Sequence, residues 1–474
     1  MKIAMVASEA NPLCKTGGLA DVVYSLSKEL VILGEEVSVV LPFYKKIKDK
    51  SGLKLKKLGS YDVYLSWRKQ PADIFLCYVD GIAYYLIGND YYFDREELYG
   101  HGDDGERFAF FTLAARSLFS FLDLHVDVIH VHDWQVGMLP TLIREQSRDL
   151  PVFAGTKFVM TLHNEAFKGL LDRYFPNNFY GLDDILFDDG RVRYDGMVST
   201  LKAGIIYADE VVAVSPNHAR ELLCPGDPMG LDGVLALKQG HFQGILNGID
   251  LLEFNPAEDP LIGKNYDSTT FVEGKKACKE RLLKTSFLPV SDDPVFGLVS
   301  RLTSQKGVDL VIQVARGIID RGGKMAILGS GEYELEQAFE RLREEHPDNV
   351  AIYRGYNNQL AHDIYAGSDF FLMPSLFEPC GIGQMLAQHY GTLPICRKVG
   401  GLADTVIPYG DGRKDATGFL FEDYSGSAFW AQIVSAFAVY NDPKTKNELI
   451  RNAMNIDYSW KTSAEAYLAL YKRS

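Results

Sequence analysis

The chain has 474 residues, 47% apolar and 24% charged, with 49 Lys and Arg against 63 Asp and Glu and a formal net charge of −14. That length exceeds what one hydrophobic core usually serves, so two α/β-sized domains are expected. The acidic balance offers no basic face to nucleic acid or an anionic membrane, and no apolar run is long enough to cross a bilayer.

In chain order, Met1 leads directly into the strand pattern Ile3–Ala7, which leaves no room for a signal or transit peptide and makes the cytoplasm the expected location. Lys15-Thr16-Gly17-Gly18 follows at the mouth of the predicted sheet. The pentapeptide Gly17–Asp21 recurs at Gly400–Asp404, and each copy opens an apolar-periodic stretch. Paired glycines let backbone approach a ligand, and the first amides of a helix present N–H groups to an anion. The same pairs also read as turn punctuation. Lys15 and its glycines lack the Walker A spacing and no Gly-x-Gly-x-x-Gly is present, which excludes a P-loop and a nicotinamide fingerprint.

The helix after the first pair places Val22, Val23, Leu26 and Leu30 on one face and stops near Gly34. Strands are expected at Glu36–Leu41, Val128–His132, Phe158–Leu162 and Glu210–Val214. Residues 54–99, rich in Tyr and alternating in polarity, predict antiparallel strands added to the sheet edge. His130 and His132 share one strand face, as a metal pair or as hydrogen-bonded core imidazoles; no third ligand follows at sensible spacing, which favours the second. Asp133 and the pair His163-Asn164 end their strands and are placed to meet a ligand.

The Gly-, Pro- and Asp-bearing stretch 247–267 reads as the connection between domains. A second βα series begins near residue 294, with strands at Pro294–Ser300, Met325–Leu328, Val350–Tyr353, Phe370–Met373 and Leu393–Cys396, and helices over 426–456 and 463–472. The expected fold is α/β, two Rossmann-like doubly wound sheets facing across a cleft. In Arg301-Leu302-Thr303-Ser304-Gln305-Lys306-Gly307 two cations bracket a short loop, and a helix starts at about Gly307. Such a loop suits a diphosphate leaving group, or is a solvated turn with two surface charges. Glu378-Pro379-Cys380-Gly381 puts a carboxylate at a strand end, to bind sugar hydroxyls or to cap a helix. Cys380 has no evident His partner and reads as a packed thiol; the six cysteines lie far apart, as reduced thiols do. Asn247 and Tyr356 are candidates for a base or ribose, Tyr356 by stacking, although a loop tyrosine also serves plain packing.

Lys15–Asp21, His132-Asp133-Trp134, His163-Asn164, Arg301–Gly307, Glu378–Gly381 and Gly400–Asp404 occur in the order and spacing of bacterial glycogen synthases and plant starch synthases. The chain resembles that family over essentially its whole length, down to Asp457-Tyr458-Ser459-Trp460. The resemblance implies a retaining GT-B glycosyltransferase without a cofactor or metal. It would move glucose from ADP-glucose, or UDP-glucose, to the non-reducing end of an α-1,4-glucan. It implies an acceptor domain of residues 1–248 plus 458–474, the last helix crossing back, and a donor domain of residues 249–457.

By the same resemblance Arg301 and Lys306 stabilise the departing diphosphate, Glu378 binds the donor sugar's hydroxyls, and the Cys380 and Gly381 backbone assists. His163 with Asn164 contacts the glucose and its anomeric region. Lys15 and the Gly18 amide reach the phosphates or sugar on domain closure. Tyr356 stacks on the base, Asn247 is a second donor contact, and Tyr99 and Asp133 line the pocket. One departure is present: the family often has a hydroxyl residue where this chain has Gly383, so any side-chain bond from there to phosphate is lost. Leu386 stands where sucrose synthases carry a second Glu, which argues against those relatives. A glucan phosphorylase would need a lysine-bound pyridoxal cofactor and a much longer chain; a silent sugar-nucleotide-binding protein would not need both cations, the Glu and both glycine pairs. Adenine and uracil each stack on a tyrosine ring, so Tyr356 suits ADP-glucose and UDP-glucose alike.

Overall fold

In the computed structural model, which describes residues 1–473, the chain divides into two compact units. The first comprises Met1–Val214, Ala219–Ile245 and the chain from Trp460 onward; the second comprises Ser215–His218 and Leu246–Ser459.

The first unit is built on strands β1 (Lys2–Val6), β2 (Glu36–Pro42), β3 (Lys56–Leu65), β4 (Arg68–Val79), β5 (Ile82–Gly88), β6 (Val128–His132) and β7 (Lys157–Leu162). A small separate sheet holds β8 (Leu170–Leu171), β9 (Arg193–Tyr194) and β10 (Met197–Ser199), and the main sheet is completed by β11 (Glu210–Ala213) and β12 (Phe242–Gly244). The main order is β12-β11-β7-β6-β1-β2-β5-β4-β3. Strands β12 through β5 run parallel, and β4 and β3 are added antiparallel. This difference is written in the residues. The central strands β1, β2 and β6 are buried almost throughout because both sheet faces are covered; β1 and β2 are mostly apolar, and β6 carries two buried histidines among its apolar residues. Strand β3 is largely exposed and alternates toward its end, where Val63 and Leu65 turn inward.

The helix Gly18–Ile32 buries Val22, Val23, Leu26 and Leu30 and gives way to Gly34 at φ +91°, a conformation that L side chains avoid. The helix Trp460–Tyr471 packs on it within this unit and buries Trp460, Tyr467 and Tyr471.

The second unit holds β13 (Val295–Val299), β14 (Lys324–Gly329), β15 (Val350–Arg354), β16 (Phe370–Met373), β17 (Leu393–Arg397) and β18 (Phe419–Phe421), all parallel, in the order β15-β14-β13-β16-β17-β18. Counted from its own first strand this is 3-2-1-4-5-6, the dinucleotide-fold order; β1, β2, β5, β6, β7 and β11 repeat it in the first unit, with β12 added beside β11.

The structure adds β12 and β18, three residues each, and the short strands β8, β9 and β10 of the separate sheet to the strands expected from sequence. It also breaks the helix expected over 426–456 into Gly426–Tyr440 and Pro443–Met454. Asp442 makes the break: its carboxylate accepts from the amides of Lys444 and Thr445, and Pro443 occupies the first turn where its missing N–H costs nothing. The stretch 247–267 is folded onto the second unit and is no free connection. Buried Asp259 takes hydrogen bonds from Tyr390 Oη (2.6 Å) and His362 Nδ1 (2.7 Å), and Ile249 N donates to Tyr458 O (2.8 Å).

Lys275 is buried on the helix Phe271–Thr285, without a carboxylate partner among the described residues. Its ammonium donates to Ala366 O (3.0 Å), Tyr390 O (3.1 Å) and Thr392 Oγ1 (2.8 Å). Burial pulls its pKa down to about 8. Between pH 8 and about 10.4 the unfolded chain therefore binds the proton and the folded chain does not, so this lysine's contribution to stability rises with pH, by roughly 3 kcal/mol in all. Denaturant unfolding of the wild type and Lys275→Met at pH 7.5 and 10.5 checks this. The wild type is expected to gain about that amount relative to the variant, and parallel pH dependences would refute it.

Candidate active site

In a doubly wound sheet, ligands bind beyond the carboxyl ends of the strands where the strand order reverses. In the second unit that point lies between β13 and β16. The loop after β13 carries Arg301–Gly307, and the loop after β16 carries Pro374–Gly381. Gly307 sits at φ +68°, and a Cβ there would overlap the Pro374 carbonyl, so only glycine lets the two loops touch. Leu376 N donates to Gln305 O (2.9 Å) and fastens them.

The result is an ion pair that joins side chains 72 positions apart: Lys306 Nζ donates to Glu378 Oε2 at 2.6 Å. Ser375 Oγ donates to the same oxygen at 3.1 Å. Both charged side chains are largely covered, Lys306 at 18% and Glu378 at 8% exposure, so their attraction is weakly screened. Arg301 is exposed on the same loop and donates to Gln305 Oε1 (3.2 Å). Glu332, from beyond β14, accepts from Ser304 N and Ser304 Oγ, both 3.0 Å, and holds that loop from the other side.

Glu378 lies five residues before the helix Gly383–His389 begins, which removes the reading of it as a cap or first-turn acid. Cys380 is buried, and its thiol is pushed up to about 12 by burial against a backbone hydrogen bond from Asn247; it is no nucleophile at neutral pH. Asn247 is itself buried, with its side-chain oxygen lacking a hydrogen-bond partner. Tyr356 is 80% exposed, with Tyr356 Oη donating to Asn358 Oδ1 (2.9 Å), and offers an open ring face. At Gly383, a Cβ would lie 3.1 Å from the Phe371 ring, so the hydroxyl side chain expected from relatives would be tight here.

The second glycine pair proves to be a packing device. Gly400 is at φ +43°, and a Cβ on it would overlap Glu378 O; one on Gly401 would overlap Cys380 O. Gly401 N donates to both Glu378 O and Pro379 O at 3.2 Å. What approaches these glycines is the backbone of the Glu378 loop, and the helix they open is short, Gly400–Thr405. The first pair differs: a Cβ on Gly17 would meet only Glu9 Oε1, at 3.8 Å.

In the first unit the strand order reverses between β1 and β6. The loop after β1 is organised by Glu9, which is buried and which sequence reasoning passed over. Its carboxylate accepts from Thr16 N and Thr16 Oγ1, and burial holds its pKa above the usual range. Lys15 pairs with Asp21 of the following helix at 2.7 Å, both partly exposed. Tyr99 Oη and Ser8 Oγ lie 2.7 Å apart at the end of β1. Gly18 is the first residue of its helix.

Asp133, at φ +60° after β6, accepts from His163 N (2.7 Å); burial nevertheless pushes its pKa up to about 8. Asn164 caps the turn after β7 by accepting from Ala166 N (3.1 Å). His130 and His132 stack, ring centroids 4.2 Å apart. Their nitrogens turn to protein groups: His130 to Tyr471 Oη (2.8 Å) and Thr161 Oγ1 (2.7 Å), His132 Nδ1 to His163 Nε2 (3.0 Å). Among the described residues no group of three or more His, Cys, Asp or Glu side chains is placed to hold a metal ion.

Residues 2–237 match the family model described as starch synthase catalytic domain, and residues 280–455 match glycosyl transferases group 1. The chain is similar to the glycogen synthase of Anoxybacillus flavithermus, 43% identical over 99% of this chain and 97% of that protein. It is similar to the glycogen synthase of Lactococcus lactis subsp. lactis, 41% identical over the whole of both. Among solved structures it resembles the catalytic domain of starch synthase IV from Arabidopsis thaliana, bound to ADP and acarbose, with TM-score 0.92, 32% identity, and 99% and 98% of the two chains covered. Fold and matches together define a glycosyltransferase of the GT-B class, an enzyme with two Rossmann-type units. The chain belongs to the glycogen synthase and starch synthase family.

Proposed function

We propose that this enzyme transfers glucose from ADP-glucose to the non-reducing end of an α-1,4-glucan, with retention at the anomeric carbon. The observation that carries this reading is the Lys306–Glu378 pair with Arg301 beside it, at the strand-order reversal of a Rossmann unit. A solved relative named as holding ADP and acarbose supports a nucleoside diphosphate on the donor side and a glucan on the acceptor side. On this reading residues 249–457 hold the donor, and residues 1–248 with 458–474 serve the acceptor, in the cytoplasm.

The bond between the anomeric carbon and the diphosphate oxygen breaks with its electron pair on the diphosphate. Arg301 and Lys306 stabilise that charge as it grows. The acceptor's hydroxyl attacks the oxocarbenium-like carbon from the face the diphosphate leaves, and its proton passes to the departing diphosphate oxygen. A double displacement would require a free carboxylate nucleophile with a second acid; Glu378 is engaged by Lys306 and Ser375 and instead receives the sugar's hydroxyls. The Cys380 and Gly381 amides assist, His163 and Asn164 contact the glucose, and Lys15 with the Gly18 amide reaches the phosphates or sugar. Tyr356 stacks on the base and Asn247 is a second donor contact; Tyr99 and Asp133, on loops of the first unit, are further substrate-binding positions. No cofactor enters the reaction.

Radiolabelled ADP-glucose and UDP-glucose, offered separately with glycogen, test this. Label from ADP-glucose is expected to enter polymer in a form that α-amylase releases, with UDP-glucose the poorer donor. Label from UDP-glucose alone overturns the donor assignment, amylase-resistant label overturns retention, and no label from either overturns the reaction.

A further inference from the structure

The row of imidazoles behind β6 and β7 does more than fill space. His130 is fastened at both nitrogens, to Tyr471 Oη of the last helix and to Thr161 Oγ1, which also contacts Tyr467 Oη (3.3 Å). His132 stacks on His130 and reaches His163 Nε2 through Nδ1, while its own Nε2 is buried without a partner among the described residues. Burial keeps all three neutral, bringing His130 down to about 3, His163 to about 4 and His132 well below its ordinary value. The nearby Glu165 carboxylate favours charge on His163 and is outweighed. The backbone N–H of His163 is held by Asp133 Oδ1, so the ring enters from a fixed backbone.

Two neutral imidazoles sharing one hydrogen bond have two arrangements. If His163 Nε2 carries the proton, His132 must carry its own on Nε2, leaving a buried N–H with no acceptor. If His132 Nδ1 carries it, the orphan is only a ring lone pair. Buried N–H groups without acceptors are the rarer and costlier defect. We propose that His132 is a positioning residue that fixes His163 as its Nδ1–H tautomer, so that His163 offers substrate a hydrogen-bond donor and never a base. The part concerning substrate rests on the contact assigned to His163 under the proposed function; the tautomer does not.

The test has two parts. In the intact protein labelled with ¹⁵N-histidine at pH 7, with the His163 signals identified by their loss in His163→Gln, His163 is expected to show a protonated Nδ1 and a bare Nε2. A protonated Nε2 or a doubly protonated ring overturns the proposal. In kinetics, His132→Phe keeps the ring and removes the donor, and is expected to lower kcat/KM for ADP-glucose about tenfold or more. His132→Asn, whose amide N–H replaces Nδ1–H, is expected to recover most of that loss. Equal impairment of both folded variants overturns the positioning role. Wild-type kinetics in His163→Gln would overturn the substrate contact while the wild-type spectrum still reports the tautomer.

Discussion

Arg301→Ala is expected to lower turnover by about a hundredfold to a thousandfold, on the scale of losing one preorganised oxyanion donor, with folding unchanged. The side chain is exposed and, among the described residues, bonds to Gln305 alone, so little structure leaves with it. Lys306→Ala is expected to cost as much turnover and also some stability, because Glu378 would be left largely buried with only Ser375 for company. The double variant Lys306→Ala/Glu378→Gln separates the two effects. Removing both charges restores stability toward wild type, while turnover stays low. Initial rates with saturating ADP-glucose, together with denaturant unfolding of the same preparations, give both quantities. Near-normal turnover in either alanine variant would sink the proposed mechanism.

The two copies of Gly-Gly-Leu-Ala-Asp are expected to respond oppositely to the same substitution. Gly400→Ala places a Cβ at φ +43° against Glu378 O, so backbone strain and overlap add, and a loss of roughly 2–4 kcal/mol is expected. The Glu378–Cys380 loop must then shift, and turnover falls with it. Gly17→Ala meets nothing closer than 3.8 Å and Gly17 is at φ −150°, so stability close to wild type is expected. Unfolding midpoints of the two variants decide the matter, and equal losses would contradict the packing role assigned to the second pair.

That contrast marks where sequence reading stops. The pentapeptide announces itself twice, but whether its glycines admit a ligand or another stretch of backbone depends on what the sheet order brings against them. Phe370–Met373 was legible as a strand because an unbroken apolar run between turn residues has few alternatives in an α/β chain. Residues 54–99 betrayed their antiparallel pairing through alternation. Phe242–Gly244 and Phe419–Phe421 were too short to carry a period. Asp442-Pro443 did carry a helix-start signal, but the apolar spacing on either side concealed it. The candidate site residues were chosen at strand ends because ligand chemistry collects there. Glu9 and Ser375 were missed because each matters through a fold-made partner, Thr16 for one and Glu378 for the other. The pairing of Lys306 with Glu378 was likewise invisible until β13 and β16 became neighbours.

The last helix belongs to the first unit although the whole second unit precedes it in the chain. During synthesis the second unit can therefore assemble while the first still lacks the Trp460, Tyr467 and Tyr471 side chains of its core. His130 gains its Tyr471 partner only when that helix has left the ribosome, so the histidine row is completed after the whole second unit has been made.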